Sequence, residues 1–347
     1  MFKKMVSVII AFSIAFLLLT GCSSSKKERE NATRTVVDRS GNTITIPENI
    51  NSYAVAWAGL TDILLMFDGT EHLVAYPEKS ASFKWIFDVY PDYSSKIELS
   101  NEGISVEEVI NTGANVVFLK SADDENLYNE LNKCGIAAVD CHFDTYEELQ
   151  EVMKLISEVL NTEEAKNKVN EYNTYLENVV NNATHTTEGI AVDNKHSVLV
   201  MKDTKAFSAY GSSRYTGKWV EMCGGNYAMV NDDSYANVNL TREQIFEYNP
   251  DYIFFAMPGQ AEKFNNDSTW QNLYAVKNSY VINIPGGFNT WSNCGAESAL
   301  IFSWAPSILY PEYVDYNIKD IVSEFYFKFY GYKISDNEFQ SILNSSF

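Results

Sequence analysis

The chain has 347 residues, of which 46 are acidic and 26 are basic, so its formal net charge at pH 7 is -20. Its Lys and Arg residues are scattered along the chain. A nucleic acid is therefore a poor candidate partner, because binding to phosphates needs a basic surface. The length exceeds what one hydrophobic core usually supports, which predicts two lobes.

The first residues have the features of an export signal. Lys3 and Lys4 precede an uncharged apolar run, Met5–Leu19, that is too short for a comfortable membrane span. The run leads into "LTGC", which resembles the lipobox of bacterial lipoproteins, with Cys22 as the thiol that takes a diacylglycerol. We therefore expect an exported protein, anchored by lipid to the outer face of the cytoplasmic membrane or facing a periplasm, with no further apolar run of spanning length.

Short apolar runs alternate with helical segments after the leader. Six runs are predicted strands: "SYAVAW" (52–57), "NVVFLK" (115–120), "IAAVDC" (136–141), "SVLVMK" (197–202), "YIFFAM" (252–257) and "YVINIP" (280–285). Such alternation favours mainly parallel sheets covered by helices. The sequence therefore predicts an α/β fold.

The segment between the third and fourth of these strands is helical over about 40 residues. Apolar residues recur at helical spacing from Leu149 to Val179. Asn161 and Thr162 divide the segment into two helices, with Thr162 as the N-cap of the second. That second helix, of about 20 residues, would be about 30 Å long and could carry the chain from one lobe to the other.

These observations predict five segments in the chain. They are a lipoprotein signal peptide (1–21), a lipidated tether (22–33), an N-terminal α/β lobe (34–144), a helical linker that includes the interlobe helix (145–183) and a C-terminal α/β lobe (190–347).

Four cysteines follow Cys22. Cys134 and Cys141 cannot easily join each other, because a strand between them would hold their ends about 20 Å apart. A bridge between Cys223 and Cys294 is possible in an exported protein, and free buried thiols are an equally good interpretation.

Two distant segments, Ile104–Leu119 and Leu240–Phe255, match without gaps: an apolar residue, a capping residue, a helix, a turn and a strand. Each contains a capping box of the S/T-x-x-E/Q type. The box does not account for the glutamates that occupy the same slot in both segments, Glu107 and Glu243. An acid in the first helical turn commonly complements the helix dipole, but its recurrence in both predicted lobes suggests a second role.

A series of features in a fixed order carries a family resemblance: the lipobox, "DRSGNTITIP" (38–47), "FDGTEHLVAYP" (67–77), the Glu107 segment, the long helix, "MCGGN" (222–226), the Glu243 segment, "AVKNSYVINIP" (275–285) and "LYPEYVD" (309–315). Together they resemble the substrate-binding lipoproteins of ABC importers for iron-siderophores, haem and vitamin B12. The resemblance covers essentially the whole chain after the leader.

The resemblance implies two α/β lobes, with mainly parallel sheets, joined by a single long rigid helix. It also implies that the cleft between the lobes clamps a metal chelate, with an iron-siderophore or haem as the first choice and a corrinoid as the alternative. One surface glutamate on each lobe, matching Glu107 and Glu243, would meet the permease of an importer that also has an ATPase. The chain departs from the family where Gly113 and Ala114 replace a usual Lys-Pro before the strand, which we interpret as drift in a turn.

Loops after the predicted strands suggest which residues line the cleft, because ligands of α/β lobes bind at the carboxyl ends of strands. Aromatic rings predominate in these loops, although such rings also pack lobes together. The candidate ligand-binding residues are Trp57, Tyr76, Trp85, Tyr210, Arg214, Tyr215, Phe288 and Trp291.

Arg214 and Lys218 are the best candidate cations for an anionic group of the ligand. Arg214 lies in a Gly/Ser-rich loop and could form a bidentate clamp. With one convincing cation in view, the sequence favours a neutral or weakly charged chelate.

The histidines show no metal-ligand spacing, so we expect any metal to arrive already chelated, with no directly bound metal and no permanent cofactor. His142 ends a predicted strand and is a weak candidate for an iron site; a structural role is the stronger interpretation.

The rival classes are a lipid-anchored surface glycoside hydrolase and an adhesion module. No G-x-S-x-G, HExxH, Walker or G-x-G-x-x-G motif is present, although a carboxylate pair remains possible among so many acids. An adhesin would not explain the repeated glutamates. We therefore expect a monomeric binding protein and no enzymatic activity.

Overall fold

The computed structural model describes residues 32–100, 103–120, 124–229 and 235–346. The predicted signal peptide, the lipidation site Cys22 and all but the end of the tether lie outside the described residues. Within the described part of the chain, no helix is long and apolar enough to cross a membrane.

An antiparallel hairpin of β1 (Thr33–Val37) and β2 (Thr43–Pro47) opens the described chain. The buried carboxylate of Asp38 holds its turn, since it accepts from the Asn42 backbone N–H at 2.9 Å and from the Tyr128 hydroxyl at 2.6 Å. Tyr128 belongs to the first lobe, so this one carboxylate both shapes the turn and fastens the hairpin to that lobe.

The N-terminal lobe is a five-stranded parallel sheet with the order β5-β4-β3-β6-β7. Every residue of the interior strand β6 is buried, as expected where helices cover both faces of a parallel sheet. The strands are β3 (Tyr53–Val55), β4 (Leu73–Pro77), β5 (Ile97–Leu99), β6 (Val116–Leu119) and β7 (Ala137–Asp140). The helices are α1 (Thr61–Asp68), α2 (Trp85–Val89), α3 (Val106–Thr112) and α4 (Glu125–Lys133).

Two helices connect the lobes, α5 (Tyr146–Leu160) and α6 (Glu163–Thr187). The structure confirms the predicted break between them: Asn161 is left-handed with φ 54°, and the Thr162 hydroxyl accepts from the Ala165 N–H. With 25 residues, α6 is longer than expected and spans about 37 Å. Lys168 on α6 donates to the Met66 carbonyl of the first lobe at 2.9 Å, and other α6 residues pack against the second lobe.

The C-terminal lobe has a six-stranded mixed sheet with the order β11-β9-β8-β12-β13, and β10 also pairs with β8. Only the pairs that involve β9 are antiparallel. The strands are β8 (Ser197–Met201), β9 (Ser208–Ala209), β10 (Asn226–Tyr227), β11 (Val238–Asn239), β12 (Tyr252–Phe255) and β13 (Val281–Asn283). The six strands predicted from the sequence are all confirmed, as β3, β6, β7, β8, β12 and β13.

Seven helices of this lobe lie in the described residues, and the last two cover the lobe junction. They are α7 (Tyr215–Met222), α8 (Arg242–Tyr248), α9 (Gln260–Asn266), α10 (Tyr274–Lys277), α11 (Ile301–Leu309), α12 (Ile318–Tyr330) and α13 (Asp336–Asn344). Short 3-10 helices are Ala58–Leu60, Glu78–Ser82, Pro91–Ser95, Val192–Asn194, Ser268–Trp270, Ala296–Leu300 and Pro311–Tyr313.

The C-terminal helices return to the first lobe. The Trp85 indole of α2 donates to the Glu338 carboxylate of α13 at 3.2 Å, and the Tyr330 hydroxyl of α12 donates to the Asp62 carbonyl at 3.2 Å. Two aromatic residues of α12, Phe325 and Phe329, are fully buried. The two lobes are therefore joined by more than the long helix.

The four cysteines in the described residues are free thiols. Cys141, Cys223 and Cys294 are buried, whereas Cys134 is exposed at the end of α4. Of the two interpretations kept open for Cys223 and Cys294, the structure has unbridged buried thiols.

Candidate ligand-binding cleft

A cleft of about 800 Å³ lies between the two lobes. On the N-terminal side its wall is formed by residues at the ends of three parallel strands: Ala56 and Trp57 beyond β3, Pro77 at the end of β4 and Lys120 beyond β6. Residues that follow β8, β12 and β13 form the opposite wall. The cleft thus occupies the carboxyl edge of both sheets, where α/β lobes bind ligands.

Five of the eight residues proposed from the sequence line this cleft: Trp57, Tyr210, Arg214, Tyr215 and Phe288. Trp57 is partly exposed and leans on Phe143 with a centroid distance of 4.9 Å, so its ring is supported on one side. The rings come from both walls and therefore offer apolar faces to a ligand held between the lobes.

The structure places Tyr76, Trp85 and Trp291 outside the lining. Tyr76 stacks on Tyr93 at 4.1 Å, and Trp85 stacks under Phe288 at 4.9 Å. Trp85 and Trp291 have no exposed surface. Tyr76 lies within β4, and Trp85 and Trp291 lie in the segments that follow β4 and β13. Each ring turns into the lobe or the lobe junction, where burial of a large apolar surface stabilises the fold.

Arg214 is a half-buried cation with neutral neighbours. Its guanidinium carbon lies 5.6, 4.9 and 5.7 Å from the ring centroids of Tyr210, Tyr215 and Tyr235. It donates to the Asn237 side-chain oxygen and the Tyr215 hydroxyl, each at 3.3 Å, and its buried Nε has no hydrogen-bond partner among the described residues. No described carboxylate forms an ion pair with it, so an anionic ligand group would complete its surroundings.

The loop that presents Arg214 rests directly on α7. A Cβ atom added to Gly217 would lie 2.0 Å from the Ser212 carbonyl oxygen, so only glycine permits this contact between the helix and the loop. The aromatic rings around Arg214 and this close contact together fix the position of the guanidinium at the cleft wall.

Three lysines also line the cleft, Lys79, Lys120 and Lys202. With Arg214 they face a single carboxylate, Asp124, among the described lining residues. This cleft is basic in a chain with 46 acids and 26 bases. The expectation of one cation and a neutral or weakly charged chelate is therefore revised: the described walls favour an anionic ligand.

Lys218, the other cation proposed from the sequence, is exposed on α7 and pairs with Glu221 at 3.2 Å. It is not part of the described lining. Lys120 and Lys202 had a signal that the sequence analysis missed, because each is the last residue of a predicted strand.

A series of polar contacts connects side chains of the two lobes beside the cleft. Lys120 lies 3.8 Å from the Asp144 carboxylate and 5.2 Å above the Trp57 ring. Burial, followed by a hydrogen bond to Asp144, raises the pKa of Tyr235, which belongs to the opposite lobe and lies beside Arg214. The cationic groups of the two walls are thus connected through one carboxylate and one phenol.

The loop after β13 is shaped by a buried carboxylate, Glu297. Its Oε1 accepts from the Phe288 N–H at 2.8 Å and the Tyr326 hydroxyl at 2.7 Å. Its Oε2 accepts from the N–H groups of Gly287 and Asn289, each at 3.1 Å. Because Phe288 and Asn289 line the cleft, Glu297 acts as a positioning residue for this wall.

Glu297 also contacts the other lobe through Asp62 on α1. The Glu297 backbone N–H donates to Asp62 Oδ2 at 3.2 Å, and both side chains are fully buried. Burial raises the pKa of Glu297 to about 8, with the nearby Asp62 charge as the next cause, and burial raises the pKa of Asp62 to about 6. No cation among the described residues pairs with either group.

The cleft offers few ligands for a bare metal ion. The described lining has no histidine, and its donors are one carboxylate and the buried thiol Cys294. His142 donates to or accepts from Asp140 at 2.7 Å and does not line the cleft. A group of metal-ligating types, Asp68, Glu71 and His72, lies at the end of α1 and is likewise absent from the lining.

The repeated segments fold alike. Helices α3 and α8 each have seven residues, and each begins with the predicted capping box, Ser105 with Glu108 and Thr241 with Gln244. Each ends in a left-handed residue and leads to the strand beside β3 or β8. Both capping boxes are thus confirmed.

The two glutamates that take no part in the capping boxes are exposed. Glu107 and Glu243 occupy the second position of their helices, and neither forms an ion pair with a described residue. Hydrogen bonding to its own backbone N–H, and then to Thr241, lowers the pKa of Glu243, so this acid is ionised at neutral pH.

Comparison with known proteins agrees with this architecture. The chain is 25% identical over 290 residues to the Fe(3+)-citrate-binding protein YfmC of Bacillus subtilis, an alignment that covers 80% of this chain and 89% of the relative. It is 24% identical over 339 residues to the molybdate-binding protein MolA of Haemophilus influenzae, with coverage of 90% and 95%. A periplasmic solute binding protein from Veillonella parvula has a similar fold, with a TM-score of 0.80, 23% identity and coverage of 91% and 98%.

A family model described as periplasmic binding protein matches residues 58–286. That span includes the N-terminal strand ends, both linking helices and the basic wall around Arg214. The fold predicted from the sequence is confirmed, and the chain belongs to the periplasmic binding protein family, the substrate-binding proteins of ABC importers.

Proposed function

We propose that the chain is the extracytoplasmic receptor of an ABC importer and that it captures an anionic iron chelate, with a ferric carboxylate complex of the citrate type as the first choice. The observation that carries this proposal is the described lining of the cleft, which has four cations, Arg214 and three lysines, and one carboxylate, Asp124. A second carboxylate, Asp144, lies 3.8 Å from Lys120 beside the lining. Carboxylates are the natural partners of a guanidinium fork and of lysine ammonium groups.

The size of the cleft favours a chelate over a small ion. Pockets of about 300 to 1,000 Å³ usually hold molecules of drug size, and this cleft has about 800 Å³. The relative that binds ferric citrate supports the same ligand class. Metal held inside such a complex needs no ligands from the protein, which agrees with the small number of metal donors in the described lining.

A tetrahedral oxyanion is the second candidate. The relative MolA is named for molybdate binding, and its alignment covers 90% of this chain. Arginine and lysine suit a molybdate ion as well as a carboxylate. The aromatic rings of the lining would have no partner on such a small ion, and this ranks molybdate behind the chelate.

Haem, a corrinoid and a sugar substrate have less support from the site. Haem carries carboxylates that could pair with the cations and a flat ring that could stack on Trp57. It therefore stays in the ligand set beside the iron-siderophores. A corrinoid would make little use of four cations. The named relatives are binding proteins, and a surface glycoside hydrolase would need a carboxylate pair with substrate access, whereas Asp62 and Glu297 are fully buried.

The experiment is a binding panel followed by tryptophan fluorescence and calorimetry, with ferric citrate, haem, molybdate and cobalamin as probes. We expect ferric citrate to bind without turnover, and its affinity to fall about tenfold when KCl rises from about 0.05 M to about 0.5 M, because salt screens the cations. Tight, salt-insensitive binding of cobalamin would contradict the proposal. Native mass spectrometry of protein from source cells would identify a retained ligand independently.

The remaining parts of the proposal concern the membrane. Lipid attachment at Cys22 would hold the receptor on the outer face of the cytoplasmic membrane, near an importer composed of a permease and an ATPase. Glu107 on one lobe and Glu243 on the other would contact the permease when the ligand-loaded monomer docks. Their exposure and their identical helical positions support this role.

Reversal of both acids, Glu107→Arg with Glu243→Arg, should reduce uptake of the bound ligand by about tenfold or more, because each docking ion pair becomes a repulsion. Ligand affinity in solution should not change, since neither side chain lines the described cleft. Uptake of labelled ferric citrate by cells and calorimetry of the purified protein measure the two quantities. Glu163→Arg with Glu188→Arg, at exposed positions on and just beyond α6, is the matched control; a lost affinity in the Glu107/Glu243 variant would contradict the docking role.

A further inference from the structure

Helices α3 and α8, which carry the proposed docking residues Glu107 and Glu243, each expose a large apolar side chain near that glutamate. Ile110 on α3 is 46% exposed and Phe246 on α8 is 38% exposed. Each stands three residues after the glutamate, and residues three apart lie on the same face of a helix. The next residue, Asn111 or Glu247, is exposed in both helices too.

The two helices are turned the same way on their lobes. Val109 and Ile245, which occupy the position between the acid and the apolar residue on the inner face, are both fully buried. The capping boxes set the same starting point in each helix. The exposed pair of an acid and an apolar side chain is therefore a repeated surface feature, in the same orientation on both lobes.

Exposed apolar side chains are common when they are single, so exposure alone has no meaning. Here the position is the same in two helices of different sequence. Phe246 is also held in place, because its ring stacks on the buried Trp270 with a centroid distance of 5.4 Å.

Both helices begin a few residues after a residue that lines the cleft. Ile104, two residues before α3, lines the cleft, and so does Asn237, which precedes α8 by five residues. A partner that contacts both helices would therefore lie over the opening through which the ligand leaves.

We propose that Ile110 and Phe246 are apolar anchors of the contact with the importer's permease, each seated beside the ion pair of Glu107 or Glu243. This inference rests on the proposed function and deepens it. The occupant is an integral membrane protein that presents, at two like positions, a cation with an apolar recess beside it. The acid and its apolar neighbour occur once on each lobe in the same arrangement. A partner with two equivalent subunits would match this repeat. The acids set orientation and association rate, whereas desolvated apolar contacts slow dissociation.

Photocrosslinking in source cells tests the inference with the full chain. The variants are Ile110→p-benzoylphenylalanine and Phe246→p-benzoylphenylalanine. Matched controls place the same residue at Val192 and Phe327, which are 73% and 55% exposed and lie on the 3-10 helix Val192–Asn194 and on α12. We expect adducts from positions 110 and 246, identified by mass spectrometry as a permease subunit, at about five times or more the control yield. Adding Glu107→Arg or Glu243→Arg should remove the adduct of the same lobe.

A second measurement separates the apolar from the ionic contribution. Ile110→Ala with Phe246→Ala should weaken binding of the full chain to permease-containing membranes about tenfold, with an unchanged salt dependence. Val192→Ala with Phe327→Ala should have no effect.

The outcomes distinguish this inference from the proposed function. If Glu107→Arg with Glu243→Arg reduces uptake but the probes at 110 and 246 do not exceed the controls, the apolar anchors are refuted and docking by the acids stands. If the charge reversal also leaves uptake unchanged, docking through these two helices fails as well, and if no ligand of the binding panel binds, the receptor role fails. Adducts with a second copy of this chain would assign the surface to self-association and overturn the inference.

Discussion

Arg214→Gln should weaken binding of ferric citrate by about 2 to 4 kcal/mol, which is a loss of affinity of roughly thirtyfold to several hundredfold. The guanidinium is half-buried among neutral tyrosine rings and has no described carboxylate partner. A charge in such surroundings forms strong bonds to an anion, since little water competes with the ligand. Calorimetric titration of ferric citrate into the purified protein measures the loss.

The controls for this prediction isolate charge from folding. Arg214→Lys keeps the charge and loses the planar fork, so its affinity should fall between those of the other two proteins. Lys218→Gln lies nearby on α7, where the lysine is exposed and paired with Glu221, and it should bind like the unaltered chain. Unchanged affinity in Arg214→Gln would assign the anion to the lysine side of the cleft instead.

The fold was largely predictable because buried strands of a parallel sheet are continuous apolar runs that stand out from their surroundings. The strands that were missed in the C-terminal lobe have two residues each, β9, β10 and β11. Their pairing depends on partners brought close by the rest of the fold. A two-residue strand has no period of its own, so nothing in the local sequence identifies it.

The cleft was predictable by location and only partly by residue. The rule that ligands meet the carboxyl ends of strands led to Trp57, and applied strictly it would have led to Lys120 and Lys202 as well. It could not tell Trp57 from Trp85, since the direction of a ring is decided by packing with distant partners such as Phe288.

The contact of Asp62 with Glu297 had no local signal at all. The two residues are 235 positions apart, and each looks like an ordinary acid at the start of a helix. Only the folded chain shows that Glu297 holds the cleft loop while its backbone meets the other lobe. The close fit is evident at Gly287, where an added Cβ would lie 2.2 Å from the Tyr326 hydroxyl.

The same pair leads to a prediction about stability and pH. Burial, and then the charge of Asp62, raises the pKa of Glu297 from 4.5 to about 8, and burial raises the pKa of Asp62 from 3.8 to about 6. Each folded carboxyl thus keeps its proton at a pH where the unfolded chain has already released it. The stabilising effect of that proton is complete below the unfolded pKa values and is lost as pH rises through the folded values. The free energy of unfolding therefore falls as pH rises from about 4, and the loss reaches its full size at about pH 8.

Asp62→Asn should remove the part of this cost that comes from the Asp62 charge, while its side-chain oxygen still accepts from the Glu297 N–H. At about pH 4 the variant and the unaltered chain should be equally stable, and the variant should gain about 2 to 3 kcal/mol at about pH 8, because each pKa unit corresponds to about 1.4 kcal/mol. Urea unfolding at several pH values measures the free energy of unfolding. Asp68→Asn, the same change at the other end of α1, should show no gain that grows with pH. A gain equal at all pH values would mean that ionisation of the pair is not its cause, and a loss at all pH values would show that the Asp62 carboxylate stabilises the start of α1 more than its burial costs.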